Sequence, residues 1–183
     1  ILVFLGGIGF TTLSEFFSPR QIKERKKYSW KKLLPSTRII LYTTFGIIII
    51  GTIIGLALEY NNTLGIKTTF LEKFGTILFQ TISARTAGFN MVDVTRFTVP
   101  TMILFMIIMF IGASPGSTGG GIKTTTFFVL MKSMFATIQG KKNIEFQKKT
   151  IPFELVDKAY SIVLMSLIVI IISAFAISIV EPK

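Results

Sequence analysis

Two short stretches hold the residue types whose spacing can do chemistry. The first is Ser83-Ala-Arg-Thr-Ala-Gly-Phe-Asn90, where Gly88 permits backbone angles closed to other residues. A helix ending at Ser83 carries about half a negative elementary charge at its C-terminus, which favours a cation without placing a carboxylate in its path. Thr86, Ala87, Gly88 and Phe89 can then turn backbone oxygens toward a dehydrated cation, with Gly88 making the turn. Arg85 beside them reads as an anchor that pairs with a carboxylate such as Asp93 behind the loop, not as a contact to the ion. The second stretch is Gly112, Ala113, Ser114, Pro115, Gly116, Ser117, Thr118, Gly119, Gly120 and Gly121, followed by Ile122 and Lys123. Glycine and serine give it low barriers between conformations, and the hydroxyls of Ser114, Ser117 and Thr118 can satisfy amides that a broken helix frees.

Other chemistries are excluded by what the chain lacks. Without Cys or His there are no thiol nucleophiles, no disulfides, no imidazole proton shuttles and no usual zinc sites, so an enzyme is not expected. The glycine run also fails as a phosphate-binding loop. That motif is G-x-x-x-x-G-K-[ST], and here Ile122 intervenes between Gly121 and Lys123-Thr124, one residue out of register.

The elements that must position these loops belong to an all-α membrane protein. Only 16% of the 183 residues are charged, half are hydrophobic, and the charges crowd between long uncharged windows. Mean hydropathy is +0.66. Ile39 to Leu58 is uncharged for about 30 Å of helix, the thickness of a bilayer's hydrocarbon core. Ala159 to Val180 is a second span, ended by Glu181 and Pro182. Ile1 to Phe10 is apolar with no basic leader and reads as the tail of a cut helix. Thr101 to Ile138 is about twice the length of a span and is broken by the glycine run. Its free backbone groups are tolerated at membrane depth only where protein or a wet cavity satisfies them.

The net charge of +11 resides in loops. Arg20, Lys23, Arg25, Lys26, Lys27, Lys31, Lys32 and Arg38 form one basic loop, and Lys141, Lys142, Lys148, Lys149 and Lys158 another. Both are cytoplasmic by the positive-inside rule, which replaces a nucleic-acid reading with a lipid bilayer, while Glu59 to Pro100 lies outside. On that outer side Thr69 to Ser83 has the capping-box spacing to Glu72 but gives at most roughly 22 Å of helix. An amphipathic surface helix with a glycine turn is the plainer reading. Its position between two spans favours instead a re-entrant pore helix with a return loop.

That order of elements, with the sequences Ser83 to Asn90 and Gly112 to Thr124, resembles the Ktr/Trk/HKT superfamily of potassium transport membrane subunits, nearest the bacterial Ktr type. The resemblance implies four repeats of helix, pore helix, filter loop and helix around one axis. In those terms 1–18 is the end of the second repeat's inner helix and 19–36 a basic cytoplasmic loop. The third repeat is 37–138, with spanning helix 39–58, pore helix 69–83, filter 84–90 and broken helix 101–138. Residues 139–158 form a cytoplasmic loop, and 159–183 open the fourth repeat. It also implies K+ as the transported ion, held near Gly88. Gly112 to Gly121 with Lys123 becomes an intramembrane gate, in a multi-pass plasma-membrane protein that forms a homodimer above a ring of cytoplasmic nucleotide-binding regulatory subunits. Lys123 either snorkels or faces the inner vestibule. A rival reading is a purely structural membrane segment in which Gly46, Gly51 and Gly55 allow close helix packing.

Overall fold

A computed structural model describes residues 2–18, 33–66, 69–141, 144–146 and 149–180. Arg20, Lys23, Arg25, Lys26, Lys27, Lys31, Lys32, Lys142 and Lys148, on which the orientation argument leans, lie outside the described residues. The chain divides into two compact units, Ile1–Thr125 and Thr126–Lys183.

The first unit contains α1 (Leu2–Ile8), α2 (Phe10–Phe17), α3 (Pro35–Glu59), α4 (Phe70–Thr86), α5 (Val99–Phe110) and the first residues of α6 (Thr124–Ile138), with 3-10 turns at Thr63–Ile66 and Val94–Arg96. The apolar stub is thus two helices, not one, because Gly9 at φ +85 breaks it. α3 is the expected span, begun four residues early by Pro35, whose missing amide costs nothing in a first turn. The buried Glu15 carboxylate accepts from the Leu34 amide at 2.9 Å and from the Thr37 hydroxyl, a negative charge at the positive end of α3.

Two of the three α3 glycines act as packing residues. A Cβ on Gly51 would stand 2.7 Å from Ile108 Cδ1 and 2.9 Å from Thr81 Cγ2, and one on Gly55 would stand 3.1 Å from Ile77 Cγ2. These glycines let α4 and α5 close against α3. Gly46 has nothing within 4 Å, so its expected packing role is not realised within this unit. At the C-terminal end of α3, fully buried Glu59 accepts from the amide and hydroxyl of Thr98, both at 2.8 Å, and from the Thr63 hydroxyl at 2.7 Å. That carboxylate fixes where α5 begins. Below it Phe97, Phe105 and Ile108 form an apolar cluster.

The second unit holds the rest of α6, a minimal antiparallel hairpin of β1 (Glu145–Phe146) and β2 (Lys149–Thr150), and α7 (Phe153–Val180). The Ser133 and Tyr160 hydroxyls meet at 3.4 Å, and the Phe128 and Phe146 rings pack edge to face. α7 starts six residues before the expected Ala159. Pro152 accepts the first-turn amide of Leu155, and Glu154 sits where the helix dipole favours it, so the expected 139–158 loop is partly hairpin and partly helix. α3 and α7 are long and apolar enough to cross a membrane, whereas α5 and α6 are each too short.

The Gly51 and Gly46 contrast predicts opposite signs. Gly51→Ala should lower the thermal stability of the intact protein in detergent by about 1 kcal/mol or more through overpacking. Gly46→Ala should leave it unchanged or raise it by up to about 1 kcal/mol through helix propensity. Thermal denaturation of both variants checks this.

Candidate functional site

α4 has 17 residues, about 25 Å of helix and short of the roughly 30 Å that a span requires. Thr69 is its N-cap by position, but no side-chain cap bond forms; the Thr69 carbonyl instead accepts the Glu72 and Lys73 amides. The expected capping box is therefore not formed, and the first turn is closed by ordinary backbone bonds. At the other end the helix runs three residues past Ser83, so Arg85 and Thr86 ride its last turn and the return begins at Ala87.

The turn itself is tightly fixed. The Ala87 and Gly88 amides both donate to the Ser83 carbonyl at 2.9 Å, and Gly88 takes φ +69 as its type allows. The Ser83 hydroxyl donates to the Phe89 carbonyl at 2.6 Å, which turns that oxygen toward the helix. Gln80, buried one turn earlier, donates to Asn90 Oδ1 at 2.7 Å and accepts the Met91 amide at 3.5 Å. Among the described residues, no group donates to the carbonyls of Thr86, Ala87 or Gly88. Three successive carbonyls at the C-terminus of this helix are thus left without a protein donor, at the end where the helix dipole is negative.

Arg85 is 6% exposed and does not pair with Asp93. Its Nη2 donates to the Gly112 carbonyl at 3.0 Å, because its place on the last turn of α4 faces the interrupted helix. Asp93 binds Thr95 and Arg96 instead, and the Thr95 hydroxyl and amide hold its carboxyl below the usual carboxylate range.

The break in the third apolar region is real and compact. α5 stops at Phe110, α6 starts at Thr124, and Ala113 and Ser114 between them are fully buried. The element before the glycine run is a helix, not the strand a phosphate-binding loop requires. Close backbone approach explains the glycines. A Cβ on Gly112 would overlap the Gly120 carbonyl, and one on Gly119 would lie 3.0 Å from the Arg85 carbonyl and 3.3 Å from Thr86 Cγ2. The loop thus lies directly against the last turn of α4.

Its backbone groups find backbone partners. Ile122 donates to Phe110 at 2.9 Å, Ser117 to Ser114 at 3.1 Å, and Ser114 to the Gly7 carbonyl at 3.1 Å. The Phe10 amide returns the bond to Gly116 at 3.1 Å. Gly7 and Phe10 flank the break at Gly9, so the two interrupted helices satisfy one another. The expected role of the hydroxyls is replaced: Ser117 Oγ donates to the Ser114 carbonyl, and Ser114 Oγ accepts from Thr124. The Lys123 ammonium donates to the Gly119 carbonyl at 2.8 Å, which ties it to the loop. Gln80, Gly9 and the Arg85 to Gly112 bond went unread in the sequence, although the spacing of Gly6, Gly7 and Gly9 was a visible sign of a break.

A helix too short to span, a return turn with unpaired carbonyls and a packed loop between two short apolar helices lie together in the first unit. Comparison with known proteins identifies the family. The chain belongs to the TrkH family of cation transport proteins, whose family model matches residues 1–183. It is 34% identical over 189 residues to the Ktr system potassium uptake protein B of Vibrio alginolyticus, covering 98% of this chain and 38% of that protein. It is 33% identical over 182 residues to the protein of the same name from Bacillus subtilis (strain 168), covering 98% and 39%. The chain therefore spans about two fifths of the length of these relatives. In fold it is similar to a crystal structure of the potassium transporter TrkH from Vibrio parahaemolyticus, with TM-score 0.74 and 21% identity over 96% of this chain and 37% of that one.

The docking of loop on break predicts a specific defect. Gly9→Ala forces a side chain into φ +85, with its Cβ 2.6 Å from the Pro115 carbonyl. In a background with Ser114→Cys as the single cysteine, thiol labelling should be slow, and adding Gly9→Ala should speed it several-fold. Equal labelling rates would mean that the break does not hold the loop.

Proposed function

We propose that this chain supplies one repeat of a potassium pathway across the plasma membrane. Monovalent cations shed water against the carbonyls of Thr86, Ala87 and Gly88, with Phe89 shaping the turn. Gly112 to Gly121 and Lys123 act as a gate directly beneath. The observation that carries this reading is the run of three unpaired carbonyls at the end of a helix too short to span. The ion is assigned by analogy: the relatives' names give potassium uptake, and K+ is the cargo of the proposed pathway.

The rest of the pathway lies in further repeats, since a single filter loop does not surround an ion. The exposed apolar side chains of α7 offer surface to such repeats or to lipid. Multi-pass insertion in the plasma membrane, a homodimer of the intact protein, and a ring of nucleotide-binding regulatory subunits below it complete the proposal. The basic residues of 19–36 and 139–158 would meet that ring or anionic lipid.

Gly88→Ser in the intact protein tests the filter. No atom lies within 4 Å of a Cβ there, so the cost is the backbone angle, of order 1–2 kcal/mol, and not a clash. The expected result in a potassium-requiring strain is uptake with weakened preference for potassium over sodium. Unchanged dependence on both ions would remove Gly88 from the filter.

A further inference from the structure

Three buried polar atoms in the first unit lack partners although each belongs to a residue lining one small cavity. They are Arg85 Nε, Thr44 Oγ1 and Thr86 Oγ1. The cavity lies between α1, α3 and α4, walled by Phe4, Gly7 and Ile48 as well as these three residues. Its room for the centre of a water molecule is about 10 Å³, the space that one water needs.

A buried guanidinium donor and two hydroxyls without partners are costly, because each has lost its hydration. Chemistry and size select the occupant. The guanidinium repels a cation, and room of about 10 Å³ suits a single water. A water accepts from Arg85 Nε and donates one hydrogen to each threonine oxygen, within the usual two to four bonds of a buried water. Gly7 makes the site possible: its Cβ would stand 3.0 Å from Thr86 Cγ2 and press that side chain into the space.

We propose that this cavity holds one ordered water molecule bridging Arg85 Nε to the hydroxyls of Thr44 and Thr86. The water fixes the guanidinium plane so that Nη2 stays on the Gly112 carbonyl, which makes Arg85 a positioning residue for the loop and Thr44 a support for it. The hydration site stands whether or not the loop is a gate, and its test reads no flux.

The test compares two threonines on α3. Thr52 Oγ1 is also buried without a partner, but Thr52 does not line the cavity. Replacing an orphaned hydroxyl with a methyl of equal volume is neutral or stabilising, whereas removing a water's partner is destabilising. In the intact protein, Thr44→Val should therefore lower the thermal midpoint by a few degrees relative to Thr52→Val, and Thr44→Ser should recover it. Thr44→Val no worse than Thr52→Val overturns the proposal. A map of the intact protein that resolves ordered waters decides independently, including the case where Thr44→Val does not fold. Density at hydrogen-bonding distance from Arg85 Nε supports the site, and an empty cavity overturns it.

Discussion

A helix interrupted at membrane depth must have every freed amide and carbonyl paired by protein or water, since each orphan in hydrocarbon costs several kcal/mol. Among the described residues, apolar helices are interrupted at Gly9 and at Gly112 to Gly121, and each interruption supplies partners to the other. The Gly7 carbonyl takes the Ser114 amide, and the Phe10 amide gives to the Gly116 carbonyl. Remove either break and the other is left with unpaired groups in an apolar setting. The position of the loop beneath α4 follows from this reciprocity, and so does the need for glycine at the points of closest approach.

α4 closes the same arrangement. Its last turn sends the Arg85 side chain to the Gly112 carbonyl and lays the Arg85 carbonyl against Gly119, so one residue meets both ends of the loop. In the proposed pathway a buried positive charge behind the turn works against the ion. Its hydrogen bond to the loop commits Nη2 to the Gly112 carbonyl. On the outer side, Gln80 and Ser83 hold the return through Asn90, Met91 and the Phe89 carbonyl. The turn is thus braced from the helix that precedes it, and its free oxygens owe their freedom to donors committed elsewhere.

Spans were legible in the sequence because length and charge alone define them: Ile39 to Leu58 and Ala159 to Val180 fall inside α3 and α7. The short helix α4 and the break between α5 and α6 were legible for the same reason, through a length too small and a run of residues unable to continue a helix. Partners were not. Arg85 was expected at Asp93 because both are charged and near in sequence, whereas the bond it makes joins positions 27 residues apart. Gly46, Gly51 and Gly55 look alike in sequence, and only the approach of Ile108, Thr81 and Ile77 separates the last two from the first. Helix ends moved by three to six residues because Ser83 and Ala159 mark where apolar or small residues begin, not where backbone hydrogen bonding stops.

The central claim is that carbonyls at the end of α4 take the place of a cation's water. Thallium mimics potassium and scatters anomalously, so crystals of the intact protein grown with thallium locate the ion without reference to transport. The account predicts an anomalous peak within coordination distance of the Thr86, Ala87 and Gly88 oxygens. Peaks elsewhere on the pathway, with none at these oxygens, would contradict it.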